Sequence, residues 1–338
     1  MSEKEYQKIS LRAILIRVFY GIIAAATILI ILNLFSFSKK DEGDKVYQTE
    51  IIKNYAIYAP VIPDGVTFAE EKIPIENFDV RESLDLEILK TMYWHSEALL
   101  YIKRAYRFFP IIEPILKKNG VPDDFKFLAV TESGLKNVVS PSNAVGYWQF
   151  LKATGKQYGL EITEEVDERY DLEKSTQAAC EYLLDSYKKY KDWALVAASY
   201  NMGGGALNEV IKKQNVESYY DLLLNTETGR YVFRIVAYKL ILTNPRDYGF
   251  VFRQKDLYPE ISTQVIKVDT TITDLVTFAA KYNTNYKMLK MLNPWLQSDK
   301  LTNTAKKVYY IHVPKAGARS FDYFEALENT DSLSTDSL

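Results

Sequence analysis

From Ser83 to about Phe252 the chain repeats apolar residues at helical spacing with only short breaks, and this run limits its fold more than any other feature. Leu84, Ile88 and Leu89 form one helical pattern, and Leu99, Ile102, Tyr106 and Phe109 form a second. Pro110 and Pro114 are expected to divide the next helix, which Asn119-Gly120 should end with a left-handed cap. Val121-Pro122-Asp123-Asp124 then opens a helix that runs to Glu132. Further helices are expected over 175–190, 193–200, 206–213 and 230–242, the last stopped by Asn244-Pro245. The predicted class is mainly α, with about seven or eight helices in this domain.

The character changes on both sides of the helical run. Residues 39–81 mix charges with Pro60, Pro63, Gly65 and Pro74, and hold no sustained period. They read as a linker with a short strand or two, or as an extension packed on the helical domain. Val265–Val268 and Lys307–Val313 read as strands around two short helices, 273–282 and 286–292, giving a small βααβ unit. The Asp/Ser/Thr-rich end from Glu328 has the composition of a disordered tail.

Between Val18 and Phe37 there is no charged residue, and Ile, Leu, Ala and Phe dominate. Such a run can cross a hydrocarbon core of about 30 Å. Lys4, Lys8, Arg12 and Arg17 precede it, which favours a cytoplasmic N-terminus. Lys39, Lys40 and Lys45 come after it, offset by Asp41, Glu42 and Asp44. A cleaved signal peptide is the competing reading, since Ser36-Phe37-Ser38 is a passable cleavage site, but the apolar stretch is longer than a signal core needs. A single uncleaved anchor is expected, with everything after Lys39 outside the cytoplasm.

Composition narrows the chemistry. With 42 Lys+Arg against 44 Asp+Glu, the net charge of −2 gives no general attraction for nucleic acid. Cys180 is the sole cysteine, so neither an intrachain disulfide nor a cysteine metal cluster can form. It lies in an apolar helical pattern and should be a buried small hydrophobe. His95 and His312 lie far apart without ligand spacing, so no metal site or serine–histidine triad is expected.

One carboxylate stands out. Phe125, Leu128, Ala129 and Glu132 fall at i, i+3, i+4 and i+7, so Glu132 shares a helix stripe with apolar side chains. A carboxyl against apolar walls loses solvation in its charged form, and its pKa should rise. A general acid working near neutral pH needs such a shift. A glutamate that swings out to solvent is the plainer alternative.

The segment C-terminal to Glu132 favours the acid. Ser140-Pro141-Ser142-Asn143-Ala144-Val145-Gly146-Tyr147-Trp148-Gln149-Phe150 resembles the Ser-Pro-x-Gly-Ala-x-Gly-Leu-Met-Gln element of the lytic murein transglycosylases, relatives of goose-type lysozyme. The resemblance is nearest to their membrane-bound D-type branch. Asn143 replaces a glycine, and asparagine tolerates the left-handed backbone such a turn uses. Ala153–Leu160, Asp167–Asp171, Ala178-Ala179, Tyr200-Asn201 and Glu227-Thr228-Gly229-Arg230-Tyr231-Val232 continue the match. Leu172 takes the place of the family's proline, and Asp167, Arg169 and Asp171 read as an ion-pair and capping set. The βααβ unit resembles a LysM module in which Asp269-Thr270-Thr271 replaces the usual Gly-Asp-Thr turn.

The resemblance implies a lysozyme-like helical catalytic domain and a peptidoglycan lytic transglycosylase that needs no cofactor. Glu132 would be its catalytic acid and then base. Ser140, Gly146, Gln149, Tyr200, Asn201 and Glu227 would bind substrate, with the Tyr200 hydroxyl near the acid and Asn201 on an N-acetyl sugar. The implied reaction cleaves the MurNAc-β-1,4-GlcNAc bond without water and closes a 1,6-anhydro ring. A lysozyme-like hydrolase using the same acid, or an inactive peptidoglycan-binding protein, are the alternatives. The expected organisation is a cytoplasmic stub and transmembrane anchor over 1–37, a linker over 38–81 and a catalytic domain over 82–257. A LysM-like module over 262–316 and a disordered tail over 317–338 complete it. The expected partners are glycan strands and a lipid bilayer, in a bacterial cell envelope with the catalytic domain on the periplasmic side.

Overall fold

The computed structural model describes residues 59–320. The expected anchor over 1–37 and the tail beyond Ser320 lie outside the described residues. Among the described residues, no helix is long and apolar enough to cross a membrane.

The chain enters through a two-residue hairpin, β1 (Thr67–Phe68) and β2 (Glu71–Lys72). Of the two readings of residues 39–81, the described part follows the packed extension, because Val66, Phe68, Ile73 and Ile75 are buried in the main core. Polar contacts fix the hairpin as well. The Ala69 amide donates to Asp124 at 2.7 Å, the Trp193 amide to Glu71 at 2.8 Å, and Lys239 to the Thr67 carbonyl at 2.9 Å. The proline content of the segment gives it no helix, but its alternating apolar residues still find a core.

Helices α1 (Phe78–Tyr93), α2 (His95–Asn119), α3 (Lys126–Ser133), α4 (Lys152–Gln157) and α5 (Leu172–Tyr190) come next. Three more, α6 (Trp193–Met202), α7 (Gly204–Gln214) and α8 (Thr226–Thr243), complete the domain. Helix α2 runs unbroken through Pro110 and Pro114, against the expected division. Each proline removes one amide donor and crowds the carbonyl four residues earlier. Burial of Tyr101, Ile102, Ala105, Ile112 and Leu116 on one face holds the helix together across both.

Helix α6 is buried from Trp193 through Ser199, so it is apolar on all sides and lies at the centre. Helix α8 packs against α1, α3 and α6, with Val232, Ile235, Val236, Ala237 and Ile241 fully buried. It starts one turn earlier than periodicity suggested, because the Asn225 side chain accepts from the Thr228 amide at 2.9 Å and caps it. Cys180 is buried and its thiol is pushed up to about 12, chiefly by desolvation.

The expected βααβ unit forms from β3 (Thr263–Val268), α9 (Leu275–Lys281), α10 (Tyr286–Leu292) and β4 (Tyr309–Pro314). The strands pair antiparallel, with Thr263 opposite Pro314 and Val268 opposite Tyr309. Buried Asn293 ends α10 and is held to β4, accepting from the His312 amide at 2.7 Å and donating to its carbonyl at 2.6 Å. The core of this unit includes Leu275, Leu289, Trp295, Leu296, Ile311 and Val313, and it takes in Val166 from the helical domain.

Candidate active site

Glu132 stands in the last turn of α3. The left-handed Gly134 ends that helix at φ 59°, and its amide donates to Val130 at 2.8 Å. A glycine is needed here on two counts: a Cβ would lie 2.6 Å from the Tyr101 ring, and the backbone conformation is one that other residues rarely adopt. Arg104 donates to the Gly134 carbonyl at 3.1 Å and fixes the end of the helix to α2. Phe125, Leu128 and Ala129 are completely buried, as the stripe predicts.

The carboxyl opens on a cleft of about 420 Å³, whose walls include Glu87, Tyr101, Lys136, Arg230 and Arg234. The residue as a whole is half-buried, but protein atoms surround its carboxyl. Desolvation is the largest influence on it and raises its pKa to about 7. The nearby charge of Glu227 pushes the same way, whereas a hydrogen bond from Tyr231 and the charge of Arg234 pull it down. Glu227, Tyr231 and Arg234 fall at i, i+4 and i+7 of α8, so one helix face supplies all three.

Tyr231 is the closest partner of the acid. Its hydroxyl donates to Glu132 Oε1. Burial and the Glu132 charge hold the phenol well above its ordinary pKa, so it stays a donor. Periodicity alone does not single out Tyr231. The available signal is its place four residues after Glu227 in the Glu-Thr-Gly-Arg-Tyr-Val element.

The other expected residues fall into two groups. Tyr200 and Glu227 lie near enough to Glu132 for their charges to interact, and Asn201 is bonded to Glu227. The Tyr200 hydroxyl donates to the Trp148 carbonyl at 2.6 Å, and its pKa is raised by burial and then by the Glu132 charge. Asn201 donates to Glu227 at 3.3 Å and accepts from the buried Thr228 at 2.7 Å, which joins the end of α6 to the start of α8.

Ser140, Gly146 and Gln149 belong to the loop between α3 and α4. The Ser140 hydroxyl accepts from the Ala144 amide at 3.0 Å, and Asn143 takes the left-handed conformation expected of it, at φ 61°. Gln149 is also left-handed, and its amide donates to Gly146 at 2.7 Å and Val138 at 3.1 Å, inside its own loop. Gly146 faces protein: a Cβ there would lie 2.0 Å from the Arg169 carbonyl oxygen. Ser133, next to the acid, donates to the Tyr147 carbonyl at 2.8 Å and ties the loop to α3.

The acidic motif forms the ion-pair and capping set expected of it. Arg169 and Asp167 form a buried bidentate pair at 2.7 and 3.0 Å, and Asp171 caps α5 through the Lys174 amide at 3.0 Å. Sequence reasoning also missed Glu87. It is buried on α1 and paired with Arg230 and, at 3.3 Å, with Arg234. Nothing in the local pattern around Glu87 marks it, since its partners come from α8.

Comparison with known proteins matches this architecture. Residues 109–223 match the family model described as the transglycosylase SLT domain, and residues 264–317 match the soluble lytic transglycosylase C-terminal LysM-like domain. The chain is 32% identical over 200 residues to the membrane-bound lytic murein transglycosylase D of Escherichia coli strain K12. The same protein from Escherichia coli O6:H1 strain CFT073 matches with the same 32% identity over 200 residues. Each alignment covers 56% of this chain and 43% of the relative, so the chain spans less than half the length of the curated relatives it matches. Two segments of the chain, 109–223 and 264–317, thus resemble a transglycosylase SLT domain followed by a LysM-like domain of the soluble lytic transglycosylase type.

Proposed function

We propose that this protein is a peptidoglycan lytic transglycosylase in which Glu132 acts first as acid and then as base. The observation that carries the reading is the state of that carboxyl: desolvated, raised to about 7, and bonded at Oε1 by Tyr231. With Oε1 occupied as an acceptor, the acidic proton resides on Oε2. That proton passes to the oxygen bridging N-acetylmuramic acid and N-acetylglucosamine as the C1–O bond breaks. The neighbouring N-acetyl group of the substrate stabilises C1. Glu132, now ionised and stabilised by Tyr231 and Arg234, takes the proton of the muramic 6-hydroxyl while that oxygen bonds to C1. The acid is restored, and no water enters the product.

This route needs no second carboxylate to activate water. Glu87 is committed to two arginines, and exposed Glu227 accepts from Asn201. In this reading Glu227 and Asn201 orient an N-acetyl sugar, and Tyr200 lines the floor beside the acid. Ser140 and Gln149 present the loop to the glycan, and Gly146 lets that loop close on Arg169. The apolar run 18–37 anchors the protein in a membrane of the cell envelope, with the enzyme on the periplasmic side.

Digestion of purified sacculi with product mass analysis tests the proposal. Anhydro ends, one water lighter than reducing ends, are expected from the wild type, and no release from Glu132→Gln. Reducing ends would make the protein a hydrolase, and full activity in Glu132→Gln would remove Glu132 from the mechanism.

A further inference from the structure

The C-terminal module is joined to the helical domain by much more than its connecting chain. Its connection between α10 and β4 lies along residues 161–170, and the two segments bond as neighbouring strands do. Val166 bridges Leu296, the Asp167 amide donates to Trp295 at 2.9 Å, and the Gln297 amide to Glu165 at 2.8 Å. Val166, 2% exposed, is buried in the core of the module rather than in that of its own domain. The Glu165 carboxylate accepts from the Thr302 amide at 2.6 Å and from its hydroxyl at 3.0 Å. Lys307 pairs with Glu161 and, at 3.4 Å, with Glu168, and Tyr309 donates to Glu161 at 3.1 Å.

The same segment grips the cleft loop on its other side. Beyond its pair with Asp167, Arg169 donates to the Phe150 carbonyl at 3.1 Å and to that of Asn143 at 3.4 Å. Its own carbonyl fills the space where Gly146 lacks a side chain. Asn137 donates to the adjacent Tyr170 carbonyl at 3.2 Å. The loop held in this way carries Gln149 and, through the Tyr147 and Trp148 carbonyls, contacts Ser133 and Tyr200 beside the acid. A continuous line of contacts therefore runs from the module through Val166, Asp167 and Arg169 to the wall of the cleft.

We propose that the LysM-like module braces the active site, with Glu165, Val166 and Arg169 as positioning residues that hold the Gln149 loop against Glu132. The inference rests on the transglycosylase reading for its effect on rate, but the brace itself is a property of the fold. A module acting only as a glycan tether has no need of a backbone pairing to the catalytic domain. Here its α10–β4 connection is spent on that pairing.

Two full-length variants test the brace. Glu165→Ala with Lys307→Ala removes polar contacts at the rim of the contact, and Val166→Asp places a charge in the apolar core of the module. Hydrogen exchange of the amides of Val145 to Phe150 should accelerate about tenfold in both, while α8 stays protected. On sacculi kcat should fall with KM nearly unchanged, and the fraction of protein pelleting with sacculi should hold. Unchanged exchange in the loop overturns the brace, as does a loss confined to KM and pelleting, which marks a tether. Loss of α8 protection in Val166→Asp leaves the decision to the milder double variant. Exchange does not depend on turnover, so a wild type inactive on sacculi refutes the enzymatic reading without touching this test.

Discussion

The Tyr231 hydroxyl donates to Glu132 Oε1 across a sequence separation of 99 residues, joining the last turn of α3 to the second turn of α8. That bond opposes the desolvation which otherwise governs the acid, and it favours the ionised form. Tyr231→Phe should therefore raise the pKa of Glu132 further. The alkaline limb of the pH profile of kcat/KM should move up by about one pH unit, since a hydrogen bond to a charged group contributes about 1.5–3 kcal/mol. The rate at the optimum should fall, because the carboxylate formed after proton donation loses its donor. An unmoved limb would show that the bond has no influence on the acid.

The wild-type profile has a predicted sign of its own. The first step needs protonated Glu132, so kcat/KM should be level below pH 7 and decline as pH rises through about 7. Initial rates of sacculus solubilisation across pH 5–9 check this, roughly spanning the limb. A profile that rises through neutrality contradicts it.

The same shift links to stability. The folded state binds the Glu132 proton up to about 7, the unfolded chain only up to the ordinary value of 4.5. Between those values the folded protein holds more protons, so this residue's contribution falls as pH rises and its full penalty applies above 7. Glu132→Gln, which cannot ionise, should be more stable than wild type by about 1–3 kcal/mol above pH 7 and equal to it below about 4.5. Chemical denaturation at the two pH extremes measures the difference.

Glu87 holds Arg230 and Arg234 at the far wall of the cleft. Glu87→Gln leaves two partly buried guanidinium groups without their counter-charge, which should destabilise the fold by about 2–4 kcal/mol. Arg234 already draws the Glu132 pKa down, and with its partner neutralised it should do so more strongly. The alkaline limb should then shift to lower pH, opposite to Tyr231→Phe. Thermal unfolding and the pH profile read the two effects separately.

Gly146→Ala should lose both stability and activity. The new Cβ would lie 2.0 Å from the Arg169 carbonyl oxygen, and φ is 84°. Neither backbone can yield without disturbing the loop, so a loss above about 3 kcal/mol is expected. Circular dichroism melts alongside sacculus assays check this; a near-neutral substitution means the loop has room that the structure does not show.

The α3 stripe of Phe125, Leu128, Ala129 and Glu132 was legible in the sequence because helical periodicity is local: residues three and four apart must share a face. Local signals of the same kind found helix α6, the cap at Gly120 and the order of the βααβ module, whereas the left-handed turn at Asn143 and the capping role of Asp171 came from the family resemblance. Local reasoning misjudged α2 at Pro110 and Pro114, where burial along one face outweighs the lost backbone bonds. It left open whether residues 39–81 were a linker with a short strand or two or a packed extension, because two residues per strand leave no period to read.

Sequence by itself determined which segments are helices and that Glu132 would meet apolar walls. Only tertiary structure decided what else surrounds the acid: the Tyr231 phenol on Glu132, the charge of Glu87-bound Arg234, and a loop held by Arg169 that bonds to the neighbouring Ser133. It also decided that Val166 would bury itself in the C-terminal module, so that this unit and the cleft wall share one line of contacts. The physical reason is range. Backbone periodicity acts over a few residues, whereas desolvation and hydrogen bonding depend on whichever distant side chains the packed core brings within about 3 Å.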